Sequence, residues 1–388
     1  MYLSLQACRA VAALLVVLFH LGGTFAQDKY FGFKAMDLAF SWGDAGVDFF
    51  FVLSGFLITL VHRRDVGCPQ AFSRYVAKRT LRIYPTYWIV CVGVCVASVV
   101  VPALRQALPT DPWVFVKALL LIPQDPARVG GLGSPILFVA WSLQYEMMFY
   151  AVAGVAILNR AVGLVVALSL VLANLRCQFG DACSFPISFV GSDMIYLFAM
   201  GVAAAVFVRS PLRLPFPLWL AVAAAAAFVG VGAWEVAVGR DTLGVDRRLV
   251  FGALACVTIV ALARAEDAGH LVVRQRWIAL LGDSSYALYL VHIPVISLLC
   301  KLLVQRHVTD HGALVVAYIG VAFACVATAA MFHLWIERPL LAHLQRLGRT
   351  GRVGTVAGGT AAPVREARPT AVWLSGPHDG ARGDAHGR

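Results

Sequence analysis

Charged residues are scarce in this sequence. Asp, Glu, Lys and Arg make up 14% of its 388 residues, whereas 60% are hydrophobic, and the mean hydropathy is +0.78. Soluble domains contain about 25% charged residues. This composition excludes a soluble globular protein and indicates an all-α polytopic membrane protein, in which long apolar runs cross the bilayer as helices.

Three other features are missing. The nine cysteines show no spacing typical of metal ligands, so we predict no metal site. There is no internal repeat, which leaves an inverted-repeat transporter without support, and no segment composed like a second soluble domain. The 32 basic residues outnumber the 21 acidic ones mainly in residues 63–82 and 343–388. Basic segments beside membrane spans mark the cytoplasmic side and require no nucleic-acid partner.

The hydropathy pattern predicts about ten transmembrane helices. With residues 63–82 in the cytoplasm, ten crossings place both termini there, in a multi-pass protein of the inner (cytoplasmic) cell membrane. The segment WVFVKALLLIP is shorter than the roughly 20 residues that a crossing needs, and we predict that it forms an interfacial or re-entrant helix in an outer loop. The predicted spans are 5–25, 45–61, 83–104, 138–158, 161–176, 190–208, 215–233, 249–264, 278–300 and 312–335.

The end of the chain differs in composition from the rest. Residues 1–347 form the predicted membrane domain. Residues 348–388 are rich in Gly, Ala, Arg and Pro without apolar periodicity, which predicts a disordered cytoplasmic tail. Within the membrane domain, Cys177 and Cys183 share the polar loop RCQFGDACS. If that loop faces an oxidising compartment the two thiols can form a disulfide, and the sequence leaves both states open.

The first predicted helix carries two residues that are costly in lipid. Arg9 and His20 are eleven residues apart, which is about three helical turns, so both side chains fall on one face, about 16 Å apart along the axis. Ionisable residues in membrane helices usually face a protein interior or a wet cavity, and they suggest a functional site.

Three further polar residues interrupt other spans. At 1.5 Å per residue, His20 and His292 lie about 22 and 21 Å from the inner surface, and Ser54 and Glu146 lie about 13 and 12 Å from the outer surface. In a hydrocarbon core about 30 Å thick, these depths predict one shared site. Two of the residues also have structural explanations: Ser54 beside Gly55 suits close helix packing, and His292 before Pro294 suits a hydrogen bond to the backbone carbonyl that the proline frees.

A pair of arginines precedes the third predicted span, in RYVAKRTLRIYPTYW. Arg79 and Arg82 are three residues apart and therefore neighbours on one helix face, with Pro85 expected in the first turn of the span. Basic residues at an inner membrane boundary are ordinary topology signals and lipid contacts. The functional alternative is a cytoplasmic phosphate or anion site that also uses Arg9.

These segments together resemble the integral-membrane acyltransferase-3 family. They occur in the family's order from residue 9 to residue 340, and each is weak when taken singly. They are the Arg-x10-His of the first helix, GVDFFFVLSGFLI, KRTLRIYPTYW, WSLQYEMMFY, DSSYALYLVHIP and WIERPL.

The resemblance implies an enzyme that takes an acyl group, most often acetyl, from cytoplasmic acyl-CoA. The acceptor would be a hydroxyl of an extracytoplasmic or lipid-linked carbohydrate or glycolipid, reached from within the lipid bilayer. Because the chain ends soon after WIERPL, we expect the stand-alone kind, without a fused extracytoplasmic domain. The matching residues are Arg9, His20, Ser54, Arg79, Arg82 and Glu146, and the same motifs supply Asp48, Tyr289 and His292 as further candidates.

The resemblance and the chemistry assign a role to each group. Arg9, Arg79 and Arg82 would hold the CoA phosphates. His20 would deprotonate the acceptor hydroxyl or carry the acyl group transiently, and the sequence leaves both routes open. Glu146 would orient His20 or the acceptor, and Ser54 would stabilise the oxyanion.

Two other functional classes remain as alternatives. In a proton-coupled transporter or flippase of a glycolipid, buried His and Glu residues relay protons. An intramembrane serine protease using Ser54 and His292 rests on a single Ser-Gly dipeptide.

Overall fold

The computed structural model describes residues 2–100, 108–180, 183–239, 244, 247–271 and 275–353. The chain divides into two units, Met1–Leu344 and Gln345–Arg388, and every site residue discussed below belongs to the first. Of the predicted tail, residues 348–353 continue the last helix, and residues 354–388 lie outside the described residues.

The described ranges contain helices and no strands. They are α1 Leu3–Ala26, α2 Ala35–Ala39, α3 Ala45–His62, α4 Phe72–Val100, α5 Pro112–Leu119, α6 Pro126–Val129, α7 Ala140–Leu158, α8 Arg160–Phe179, α9 Ile187–Val190, α10 Met194–Val208, α11 Pro217–Val238, α12 Arg247–Asp267, α13 Arg276–Asp283, α14 Ser285–Gln305, α15 His311–Phe332 and α16 Arg338–Val353. A short 3-10 turn, Pro69–Ala71, precedes α4, and a π-helical turn, His333–Glu337, joins α15 to α16.

The length and composition of these helices confirm an all-α polytopic membrane protein. Within the described ranges, nine helical segments are long and apolar enough to cross a membrane. The predicted span 138–158 is also helical, as the 19-residue α7. It is not among the nine, because polar residues such as Gln144 and Glu146 lower its hydropathy.

Two predicted spans have different boundaries in the structure. The third was expected to begin at residue 83, but α4 begins at Phe72, so Arg79 and Arg82 lie on a continuous helix. Pro85 therefore lies in the helix interior. The prediction that it lies in the first turn is wrong. The ninth predicted span, 278–300, is interrupted at Ser284, which separates α13 from α14.

The helix crossing that holds Ser54 depends on two glycines. A Cβ atom added to Gly55 in α3 would collide with the carbonyl oxygen of Phe198, and one added to Gly201 in α10 would collide with that of Val52. No other residue type permits so close a backbone approach, which is the usual role of small residues between membrane helices. The small-residue explanation therefore applies to Gly55 and leaves the hydroxyl of its neighbour Ser54 for another use.

The short helix α5 is held against the middle of α4. The side chains of Tyr84, Tyr87 and Trp88 donate hydrogen bonds of 2.9, 2.7 and 2.9 Å to backbone carbonyls at the end of α5 and just after it. From Trp88, α4 continues to Val100, about 18 Å further along its axis. Ala118 is buried among core residues. These contacts favour the re-entrant over the interfacial alternative.

The two cysteines of the loop after α8 are bonded. Cys177 lies in the last turn of α8, and Cys183 follows it with a Cα–Cα distance of 5.3 Å and an S–S bond. The structure thus confirms the disulfide that the sequence left open.

Candidate functional site

A cavity of about 800 Å³ lies among α1, α3, α4, α7 and α14. Its lining on α3 extends from Val61 to Val47, which corresponds to about 21 Å along the helix axis. The cavity is therefore long and narrow rather than round. Six of the predicted site residues line it: Arg9, Ser54, Arg79, Arg82, Glu146 and Tyr289.

One part of the cavity carries the cationic side chains, and Arg9 is the most buried of them, with 8% of its surface exposed. Its Nη1 donates a 2.9 Å hydrogen bond to Gln6 Oε1, and Gln6 Nε2 donates to Asp283 Oδ1 at 3.0 Å. This chain of bonds holds the guanidinium at the cavity wall.

Aromatic rings position the other two predicted arginines. The guanidinium carbon of Arg79 lies 5.2 Å from the ring centre of Tyr150, and that of Arg82 lies 5.9 Å from the ring of Tyr286. A cation over a ring face is held without using its N–H donors.

One of the donors of Arg79 is unused. The Arg79 Nε is buried and has no hydrogen-bond partner among the described residues. Leaving a buried donor unsatisfied costs about 1–3 kcal/mol, and more for a charged group. The site therefore presents a cationic donor that an anionic ligand would satisfy.

A carboxylate occupies the middle of the cavity. Glu146 Oε1 accepts hydrogen bonds from the hydroxyls of Tyr150 at 2.5 Å and Ser54 at 3.4 Å. Tyr150 was not predicted, although its position four residues after Glu146 places both on one helix face. Because Tyr150 also carries Arg79 on its ring, it connects the cationic part of the cavity to the carboxylate.

Tyr289 lines the cavity beside Phe50. Its hydroxyl lies 2.7 Å from Ser142 Oγ and donates to the carbonyl of Val139 at 3.0 Å, and its ring centre is 6.5 Å from that of Phe50. These contacts hold the ring at the end of the lining that is nearest to the two histidines.

His20 and His292 form a pair just beyond this end. Their ring centres are 5.3 Å apart, and the ring of Tyr289 lies 5.9 Å from that of His292. Neither histidine is among the residues that line the cavity. The ring of Tyr289 therefore both lines the cavity and neighbours the His20–His292 pair.

The hydrogen bonds of His292 define its tautomer. Its Nδ1 lies 3.0 Å from the carbonyl oxygen of Leu288, and because a carbonyl only accepts, Nδ1 carries the hydrogen and Nε2 keeps a lone pair. His292 is fully buried, and its Nε2 has no partner within the described residues. The sequence suggested that His292 bonds to the carbonyl that Pro294 frees, which belongs to Leu290. The structure has it bonded to Leu288 instead, so that prediction is wrong.

The predicted residues therefore form two pairs and one cationic group. Ser54 meets Glu146, and His20 meets His292. Glu146 accepts hydrogen bonds from Ser54 and Tyr150, which gives no support to the first of the two roles expected from the sequence, orienting His20 or orienting the acceptor. Asp48 lies in the first turn of α3, buried, and is not part of the cavity lining.

No group of three or more His, Cys, Asp or Glu side chains in the described part of the chain is arranged to hold a metal ion. The chemistry available at this site consists of arginine donors, hydroxyl groups, two imidazoles beside the cavity, and the carboxylates of Glu146, Asp267 and Asp283.

Comparison with known proteins gives a family and two relatives. The family described as Acyltransferase domain (acyltransferase 3) matches residues 2–334. The exopolysaccharide production protein ExoZ of Rhizobium meliloti (strain 1021) is 33% identical, over 83% of this chain and 96% of its own. The acyltransferase MdmB of Streptomyces mycarofaciens is 26% identical, over 91% of this chain and 94% of its own. No solved structure matches significantly.

Proposed function

Because the chain belongs to the acyltransferase-3 family, we propose that it is a membrane O-acyltransferase that moves an acyl group, acetyl in the first instance, from acyl-CoA to a carbohydrate hydroxyl. Family membership favours an enzyme over the transporter or flippase that the sequence left open. The relative named for exopolysaccharide production supports a carbohydrate acceptor, either extracytoplasmic or lipid-linked.

The observation that carries the proposal is the long cavity with arginines in one part of it. Acyl-CoA has a highly charged nucleotide end and a slender pantetheine arm. Arg9, Arg79 and Arg82 suit the phosphates, since arginine binds them with paired donors, and the unpartnered Nε of Arg79 fits such an anion. The narrow remainder of the cavity suits the arm, and the acyl end would approach His20 past Phe50 and Tyr289.

In the proposed reaction His20 acts as the base. Its neutral imidazole takes the proton of the acceptor hydroxyl, the hydroxyl oxygen bonds to the thioester carbonyl carbon, and the carbon–sulfur bond breaks. The protonated His20 then returns its proton to the departing thiolate. A transient acyl group on His20, released to the acceptor in a second step, uses the same groups.

Neighbouring side chains assist each stage of this reaction. The hydroxyl of Ser54, which donates to Glu146 in this structure, turns its single hydrogen toward the thioester oxygen as negative charge develops there. The lone pair on His292 Nε2 stabilises the protonated form of His20. The contacts within the Ser54–Glu146 and His20–His292 pairs support these assignments.

We further propose that both termini and the arginines face the cytoplasm, on the basis of the basic segment 63–82. Labelled acetyl-CoA does not cross a sealed membrane. Added outside inside-out vesicles containing the protein, it should label the carbohydrate acceptor, and added outside right-side-out vesicles it should not. The reverse pattern would reject this orientation. Acceptor movement without consumption of acetyl-CoA in either preparation would establish a transporter and reject the enzyme.

Replacing Arg79 or Arg82 by Lys should raise the KM for acyl-CoA about 10-fold, the equivalent of one lost charge-assisted hydrogen bond. Lys keeps the charge, and thereby the topology signal, but loses the planar pair of donors. The KM for the acceptor should change little. Steady-state kinetics with each substrate varied in turn measures both constants.

Two controls accompany these variants. Arg74 lies on the same helix, is exposed and pairs with Asp65 at 3.7 Å, so Arg74→Lys should leave the donor KM unchanged. With an acyl-pantetheine donor, which lacks the nucleotide, the effect of the Arg79 and Arg82 variants should shrink. Identical acyl-CoA kinetics for wild type and the double Lys variant would assign these arginines to topology alone.

A further inference from the structure

The exposed part of His20 does not belong to the cavity that we assign to the acyl-CoA donor, called the donor cavity below. His20 is partly exposed, yet it is not among the residues that line that cavity. Its accessible surface therefore opens elsewhere, and the side chains around it define a second place where a substrate can meet the imidazole.

One aromatic neighbour of His20 is Phe138, which lies just before α7. Its ring is 43% exposed and meets the ring of His20 edge to face, with centres 5.8 Å apart and an interplanar angle of 89°. Its chain neighbours Leu137 and Val139 are buried, at 3% and 1%. An aromatic ring beside a reactive imidazole is thus left open on a backbone that is itself packed.

Hydrogen bonds fix that backbone at both sides of Phe138. The carbonyl of Val139 accepts bonds from the hydroxyls of Ser142, at 3.1 Å, and Tyr289, at 3.0 Å. Earlier in the segment, Gln144 Nε2 donates to the carbonyl of Gly133 at 3.0 Å. The same Ser142 and Tyr289 line the donor cavity, so one pair of hydroxyls separates the cavity from the Phe138 ring.

A fixed carboxylate completes the surroundings of His20. Asp44 precedes α3 and interacts electrostatically with His20. Arg247 holds it, with Nη2 2.8 Å from Asp44 Oδ1 and Nε 2.7 Å from Glu235 Oε1. The Asp44 side chain is 28% exposed, so solvent reaches part of this carboxylate.

From the contact between the Phe138 and His20 rings we infer that Phe138 is the platform of an acceptor subsite for a carbohydrate ring, with the target hydroxyl toward His20. A sugar ring presents C–H bonds on its faces, which pack on the electron-rich face of an aromatic ring, and hydroxyls on its edge, one of which would face His20. This subsite rests on the proposed function. It adds that donor and acceptor approach His20 from different sides.

Three substitutions test the platform, because they distinguish the contribution of the aromatic face from that of side-chain volume. Phe138→Leu keeps an apolar side chain but loses the aromatic face, and it should raise the acceptor KM about 5–10-fold while leaving the acyl-CoA KM unchanged. Phe138→Tyr and Phe138→Trp keep the face and should stay near wild type. The matched control is Phe323→Leu, since Phe323 on α15 is 72% exposed and lies outside this site.

The possible outcomes are distinct. A normal acceptor KM in Phe138→Leu, with wild type active, would overturn the subsite and leave the proposed function standing, and it would assign the ring to lipid contact. Equal rises in both KM values that Tyr does not reverse would indicate a purely structural ring and overturn the subsite as well. No acyl transfer by wild type in the vesicle assay would reject the proposed function and the subsite together.

A labelling experiment reports on binding without turnover. The Phe138→Cys variant should react with a thiol reagent applied from the extracytoplasmic side, and a carbohydrate acceptor should slow the reaction, whereas CoA alone should not. Protection by CoA and not by the acceptor, or no more labelling of this variant than of wild type, would contradict the inference.

Discussion

His20→Ala is expected to lower acyl transfer by about 10²–10⁴-fold, the range typical of a lost general base. The donor KM should remain close to that of wild type, because His20 does not line the cavity assigned to acyl-CoA. The protein should still insert and fold, since His20 is only partly buried and its ring makes contacts that Ala removes without leaving a charge unpaired. Transfer rates in vesicles, together with the amount of protein in the membrane, measure both expectations.

A histidine outside the site provides the control. His270 is exposed in the turn after α12, and His270→Ala should be fully active. Near-wild-type transfer by His20→Ala would remove His20 from the mechanism and leave the two imidazoles with a structural role.

The same variant decides between the two chemical routes. Wild type incubated with labelled acyl-CoA and no acceptor should retain label on the protein if His20 carries the acyl group, and His20→Ala should retain none. An unlabelled wild-type protein that still transfers acyl groups when acceptor is added would establish direct transfer.

The sequence predicted which residues approach the site better than it predicted their partners. Helix position gives a depth, and residues at equal depth do meet: His20 with His292, and Ser54 with Glu146. Depth does not give the direction of a side chain around its helix. The depths predicted for the two pairs differ by only a few ångströms in a core about 30 Å thick, so they appeared as one site. In the structure Glu146 bonds to Ser54, and His292 neighbours the ring of Tyr289.

Contacts within one helix were more accessible to sequence reasoning than contacts between segments. The bond from Tyr150 to Glu146 follows from a spacing of four residues, and it could have been predicted. The contact of Phe138 with His20 depends on the path of residues 112–139 between α5 and α7, and no periodicity in that segment specifies this path.

Two boundary errors have a common physical reason. Hydropathy is averaged over a window and responds weakly to one polar turn. The ninth predicted span therefore ran through Asp283 and Ser284 without a break, although α13 ends there. In the third span the error is the opposite one. The basic residues at the start of α4 lower the average hydropathy, so the predicted span began too late, although these residues are helical as well. Helix continuity depends on backbone hydrogen bonding, and hydropathy does not measure that.

Removing the Nε2 acceptor of His292 should lower kcat nearly as much as removing His20. The relative kcat values of two His292 variants show the reason. In the proposed reaction His20 becomes cationic for a moment, beside the unpartnered lone pair of His292 Nε2. A preoriented group that stabilises transient charge is worth about 10²–10³ in kcat. His292→Asn replaces Nδ1 by an amide that can still donate to Leu288 but offers no acceptor at the Nε2 position, and we expect kcat to fall about 10²-fold.

His292→Gln has the complementary geometry, because its longer side chain can place the amide oxygen where Nε2 lies. We expect it to keep most of the wild-type kcat, with both KM values unchanged in either variant. A purely structural histidine predicts the reverse order, since the hydrogen bond of its ring goes from Nδ1 to the carbonyl of Leu288, and Asn preserves that bond better than Gln does. Measuring kcat and thermal stability for the two variants separates these cases. If Asn is the more active, His292 belongs to the packing of α14, and His20 works without a partner for its proton.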